Sequence, residues 1–89
     1  MIDPRTSAAR FKALGHPVRL GIALRLAEQP ETCACDFAEL FDVSQPTVSQ
    51  HLKVLRDAGL VTTRRRGNQI CYSLDSAAVA RLRELTAAL

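Results

Sequence analysis

The chain has no tryptophan, one tyrosine and three phenylalanines. Its core therefore has to come mainly from Leu, Val, Ala and Ile rather than from stacked rings. A long hydrophobic run is also missing, since nothing approaches the ~20 apolar residues of a membrane span. The start, Met1-Ile2-Asp3-Pro4-Arg5-Thr6-Ser7, lacks a basic stretch followed by an apolar block, so a secretory signal is not expected. Without an export signal, the three cysteines are expected to be thiols in a reducing cytoplasm, and a structural disulfide is not expected. No Gly-rich phosphate loop is present, and neither His16 nor His51 sits in a nucleophile motif, so the chain does not read as an enzyme.

Eighty-nine residues suit one small domain over 1–89, near the lower limit for a self-sufficient core. The composition, 47% apolar with few rings, favours helices, and dimerisation would add burial that a monomer lacks. A formal charge of +3 permits a nucleic-acid partner without requiring one.

Taken in order, residues 6–14 form a first helix with Ala8, Phe11 and Leu14 on one side. Gly15-His16-Pro17 breaks it, and Pro17 opens a second helix to about Ala27. Its apolar face, Val18, Ile22 and Leu26 with Leu20 and Leu24, is wide enough to suggest burial. A third helix runs from about Asp36, its candidate cap, to Asp42, with Phe37, Leu40 and Phe41 inward. After a tight turn comes a fourth helix ending at Gly59. The period then changes to two, and the runs 60–66 and 69–74 flank Gly67-Asn68, a hairpin signal. A last helix, 76–89, places Ala78, Leu82, Leu85 and Leu89 in one stripe.

The order α-α-α-α-β-β-α is mainly helical with one small hairpin. It predicts a winged helix-turn-helix, with the helix-turn-helix at about 36–58 and the wing at about 60–74.

The fourth helix is the most informative stretch. Ser44 is a good N-cap, Pro46 falls in the first turn where a missing N–H costs little, and Gly59 suits a left-handed close. Val48, Leu52 and Leu55 make a narrow apolar stripe. Gln50, Lys53, Ser49 and Pro46 lie opposite, with Gln45 and Thr47 on the flanks. Amide and hydroxyl groups of this kind can read base edges in a major groove, and a helix N-terminus favours a nearby phosphate. His51 projects beside the apolar stripe, which suits a structural hydrogen bond or a phosphate contact. His16 reads as a surface or interhelix residue. Arg64, Arg65 and Arg66 approach the wing tip, where they can contact phosphates or enter a minor groove. The DNA-binding candidates are thus Ser44, Gln45, Thr47, Ser49, Gln50, His51, Lys53, Arg64, Arg65 and Arg66. An uncommitted polar face and a charge-protected edge hairpin are the bland alternatives.

These residues resemble the ArsR/SmtB family of bacterial metal-responsive repressors. The resemblance is carried by Leu14-Gly15-His16-Pro17-Val18-Arg19-Leu20, by Cys33-Ala34-Cys35-Asp36-Phe37, and by the run from Ser44 through Gly59 to Val61. It covers nearly the whole chain. It implies a homodimer joined through the first and last helices (about 6–14 and 76–89), bound to a palindromic operator of double-stranded DNA and released by a metal or metalloid.

Cys33 and Cys35 are the sharpest chemical feature. Residues two apart share a direction only on extended backbone, and on a regular helix they diverge by about 200°. A shared ion would need a turn or a distorted start to the third helix. Thiolates select thiophilic ions, and the partial positive charge of a helix N-terminus favours them. Arsenite- and antimonite-sensing relatives are similar here, with a Cys-Val-Cys-Asp-Leu pattern and, in some, a third cysteine three residues after the second. That place is Ala38 in this chain. Cys71, on the wing's second strand, is the remaining thiol: either a possible third ligand or simply a small residue of the wing. The family's other site, on the last helix, needs Asp and His, and residues 76–89 contain neither.

The expectation is a cytoplasmic, homodimeric repressor induced by As(III), Sb(III) or another thiophilic ion at Cys33 and Cys35, with no obligatory cofactor and no membrane partner. Two alternatives remain: the thiols act as a redox switch within a DNA-binding repressor, or the domain is a winged-helix protein-interaction module or the regulatory part of a larger enzyme.

Overall fold

A computed structural model describes residues 3–89; Met1 and Ile2, at the head of the stretch read for a signal, lie outside the described residues. The elements are α1 (Pro4–Leu14), α2 (Pro17–Glu28), β1 (Thr32–Cys33), α3 (Ala34–Phe41), α4 (Gln45–Asp57), β2 (Val61–Arg66), β3 (Gln69–Leu74) and α5 (Ser76–Ala88). This is the winged helix-turn-helix expected from the sequence, with one strand more. The three strands are antiparallel in the order β1-β3-β2.

Most helix ends carry their own chemistry. Asp3 caps α1 by accepting from Arg5 N. His16 caps α2, its Nδ1 accepting from Val18 N at 3.1 Å, and Pro17 occupies the first turn. Ser44 caps α4 by accepting from Thr47 N at 3.3 Å. Asp75 caps α5 by accepting from Ala78 N at 3.1 Å. The third helix departs from expectation. It begins at Ala34, its N-cap is Cys33 without a side-chain cap bond, and Asp36 stands in the first turn. There Asp36 still meets the positive end of the helix dipole. The turn into α4 runs through Asp42, which is left-handed at φ 52°.

Gly59 closes α4 at φ 76° and Gly67 opens the wing turn at φ 61°. Both conformations strain a residue with a Cβ. Arg10 Nε, from α1, donates to Ala58 O at 3.1 Å, tying the carboxyl end of α4 to the rest of the domain.

The core joins Ile22 and Leu26 of α2, Phe37 of α3, the Val48–Leu52–Leu55 stripe of α4, Leu60 and Val61 beside the wing, and Ala78 and Leu82 of α5. Each such aliphatic side chain removed from water contributes about 1.5–3 kcal/mol before entropy is counted. Four sequence expectations fail here. On α1 the buried residues are Ser7 and Ala13, while Ala8 and Phe11 face out. Leu20 and Leu24 of α2 are 45% and 59% exposed. Leu40 of α3 is half-exposed, and Leu89 is almost fully so. The cause is shared: these positions are apolar at helical spacing but face away from the only neighbours a single chain supplies. Phe11, Leu14, Leu20, Leu24 and Leu82 line one groove between α1, α2 and α5.

Candidate nucleic-acid interface and thiol site

Burial of Val48, Leu52 and Leu55 fixes how α4 is rotated, and that rotation sets its outer face. Ser44, Gln45, Ser49, Gln50 and Lys53 are exposed, and Thr47 is half-buried with its Oγ1 2.9 Å from Ser44 Oγ. Lys53 Nζ lies 2.8 Å from Asp57 Oδ2, with both side chains well exposed. An exposed i,i+4 pair of this kind contributes only a few tenths of a kcal/mol and leaves the ammonium free to meet a phosphate.

His51 is not part of that outer face. It is half-buried, its Nδ1 lies 3.3 Å from Arg19 Nη1, and its ring centroid is 4.4 Å from that of His16. Arg19 can only donate, so His51 Nδ1 accepts and its proton sits on Nε2. Burial, then His16 and Arg19, push the His51 pKa down, favouring the neutral ring. Arg19 Nε also donates to Ala13 O at 2.6 Å, so one guanidinium joins α1, α2 and α4. His51 thus makes a hydrogen bond within the domain, one of the two contacts that suit its place beside the apolar stripe.

On the wing, Arg64, Arg65 and Arg66 are paired with Cys71, Ile70 and Gln69 of β3. Strand alternation puts Arg64 and Arg66 on one face and Arg65 on the other. Glu31, just before β1, takes both members of the first pair: Oε2 is 3.2 Å from Arg64 Nε, and Oε1 is 3.0 Å from Arg66 Nη1. Arg65 Nε donates to Gly67 O, at 3.4 Å. Nothing local in the sequence couples Glu31 to the wing; the contact spans more than thirty positions.

The cysteines are arranged differently from the sequence expectation. Cys33 and Cys71 are register partners on β1 and β3, with Cα atoms 3.8 Å apart, and their sulfurs form a disulfide. A structural disulfide was not expected from cysteine usage and compartment. The strand pairing that creates it joins residues 38 apart, which periodicity cannot reveal. Cys35 does not converge with them: it is an exposed free thiol at the second helical position of α3, 3.8 Å from Asp36 Oδ1. Cys33 lies on extended backbone at the end of β1 whereas Cys35 lies on the regular helix that starts at Ala34, so the two do not share a direction. Cys71 faces inward and is 1% exposed, as alternation with the exposed Ile70 requires. Among the described residues, no cluster of three or more His, Cys, Asp or Glu side chains is placed to hold a metal ion. Among them, too, no helix is long and apolar enough to cross a membrane.

A capped helix with an amide- and hydroxyl-rich outer face, set after a tight turn and flanked by an arginine-bearing hairpin, defines a winged helix-turn-helix regulator. Residues 16–63 match the bacterial regulatory protein, arsR family. The chain belongs to that family, whose members are regulatory proteins rather than enzymes. It is 45% identical over 64 residues to the arsenical resistance operon repressor of Escherichia coli, covering 72% of this chain and 55% of that one. It is 52% identical over 65 residues to the protein of the same name from Staphylococcus xylosus, covering 73% and 62%. A crystal structure of a possible transcriptional regulator for arsenical resistance superposes with a TM-score of 0.80 at 34% identity, covering 89% of this chain and 81% of that one. The chain spans between about half and two thirds of the length of these two repressors.

Proposed function

We propose that this chain is the DNA-binding unit of a cytoplasmic, homodimeric transcriptional repressor. It holds a palindromic operator and releases it when arsenite, antimonite or another thiophilic ion binds its thiols. The observation that carries this reading is the outer face of α4, with Gln45, Ser49, Gln50 and Lys53 exposed together beside the arginines of the wing. Each α4 enters a major groove, the two half-sites lying about one turn or ~34 Å apart. Ser44 and Thr47 sit at the helix N-terminus nearest a phosphate. The apolar groove between α1, α2 and α5 supports dimerisation, since Phe11, Leu20 and Leu24 on it are left exposed in the single chain. Cys33 and Cys35 at the head of α3, and Cys71 opposite Cys33, supply the candidate thiolates once the Cys33–Cys71 disulfide is reduced. The inducer acts by binding one arrangement of α3, α4 and the wing better than the other, and a difference of a few kcal/mol suffices to empty the operator.

A gel shift with the DNA upstream of the gene, run with and without arsenite, tests the reading. The complex is expected to form at low salt, weaken steeply as salt rises and dissociate with arsenite. Failure to shift its own upstream DNA at low ionic strength overturns it.

The Cys33–Cys71 bond favours a second reading, in which the regulator responds to oxidant. Two thiols and one peroxide would give the disulfide and two waters. Peroxide in place of arsenite then changes operator affinity, and dithiothreitol reverses the change.

A further inference from the structure

We infer that the thiophilic ligand is chelated by Cys33 and Cys71 across two strands, not by Cys33 and Cys35 along the chain. This inference rests on the proposed inducible repressor and specifies its inducer site. Cys33 and Cys71 occupy directly opposed positions on β1 and β3, so both sulfurs leave the sheet on the same face. Cys35 lies on regular helix, exposed and directed toward Asp36. One trivalent arsenic centre therefore finds its two sulfurs at the strand pair. Cys33 is only half-buried, which gives solvent a way to the pair, while Cys71 is enclosed.

The disulfide is first opened by a small-molecule dithiol, which takes up the bond as its own disulfide and leaves two protein thiols. Arsenite, As(OH)₃, then exchanges two hydroxyls for two thiolates. Two As–S bonds form, each thiol proton leaves with a displaced hydroxide as water, and one hydroxyl stays on arsenic. No electrons are transferred to the arsenic. The ligand class is a trivalent arsenic or antimony species with two exchangeable oxygen ligands.

The strand pair also lies where a ligand can be felt by the DNA-contacting parts. Cys33, Cys71 and Arg64 form one row across β1, β3 and β2. Cys33 is the N-cap of α3, and Glu31, two residues before it, holds Arg64 and Arg66. An arsenic atom between the sulfurs forces β1 and β3 apart from their disulfide spacing and moves the cap of α3 and the arginine clamp together.

The test uses full-length protein reduced with a phosphine, with phenylarsine oxide and arsenite as probes. Mass spectrometry of the wild type and of Cys35→Ser should show one phenylarsenic adduct per chain with two thiols consumed. Cys33→Ser and Cys71→Ser should bind arsenite about 10²–10⁴-fold more weakly, the usual scale of losing one arm of a two-point attachment. Because Cys71 is buried, Cys71→Ala is made alongside, and wild-type protein is also probed by alkylation, where arsenite should protect Cys33 and Cys71 while Cys35 stays reactive. Loss of the adduct in Cys35→Ser with retention in both Cys71 variants, or protection of Cys35 instead of Cys71, overturns this inference and leaves the inducible repressor standing. Undiminished arsenite response of the DNA complex in all four single variants likewise overturns this inference, whereas a wild-type DNA complex that ignores arsenite overturns the inducible repressor itself.

Discussion

The carboxylate of Glu31 grips the guanidinium of Arg64, Oε2 to Nε at 3.2 Å, and reaches Arg66 at 3.0 Å with its other oxygen. Only a quarter of the Glu31 side chain is exposed, so water screens this contact less than it screens the Lys53–Asp57 pair on α4. Two of the three wing arginines therefore have their charge partly answered by the protein itself.

Glu31→Gln should free that charge. Binding to any duplex is expected to tighten, and the plot of log affinity against log salt should steepen by about 0.9 for each arginine that gains a phosphate. Fluorescence anisotropy across a salt series measures both; an unchanged slope means the clamp does not oppose binding.

Base reading and phosphate holding should separate by residue. Gln50→Ala removes an exposed amide from the middle of α4 and should lower the preference for operator over unrelated DNA by about 1–3 kcal/mol, with little change in salt slope. Arg65→Ala should weaken binding to both DNAs alike and reduce the slope by about one. Competition titrations with operator and scrambled duplexes distinguish the two, and a uniform loss in Gln50→Ala would remove it from the reading face.

His51 should make the fold sensitive to mild acid. Its pKa is lowered in the folded chain, by burial first and then by His16 and Arg19. The unfolded chain therefore takes up a proton more readily, near pH 6.5. Stability is whole above that pH and is lost as pH falls through the folded-state value. Thermal melts between pH 8 and 5 should show a falling Tm, with a shallower fall in His51→Gln, whose amide oxygen can still accept from Arg19. Parallel pH profiles for the two proteins would exclude His51 as the cause.

The groove between α1, α2 and α5 predicts a dimer that one exposed residue can break. Leu24 is 59% exposed, so Leu24→Glu leaves the monomer's core untouched. Sedimentation should show a shift from dimer to monomer, and operator affinity should drop because each half-site is then bound alone. A dimer that survives Leu24→Glu places the interface elsewhere.

Much of the geometry of the candidate face was legible before any coordinates. Ser44, Pro46 and Gly59 act on their own helix, so local chemistry suffices to place its ends. The Val48–Leu52–Leu55 stripe decides which way Gln50 and Lys53 must point. Gly67-Asn68 marked the wing because a two-residue turn has few solutions. His51, beside the stripe, could be doubted as a reader of bases for the same reason.

The amino-acid order by itself determined the ends of α2 and α4, the hairpin and the two sides of α4, since these follow from interactions within a few residues. Only the tertiary structure decided which apolar faces find a neighbour, leaving Leu20 and Leu24 outside, and which distant residues meet. Thr32-Cys33 becomes a strand only because β3 offers it hydrogen bonds, and that pairing brings Cys33 to Cys71 rather than to Cys35. The same chain reversal carries Glu31 to the wing arginines. Contacts of this range carry no periodicity, because they depend on how whole elements pack rather than on spacing along the chain.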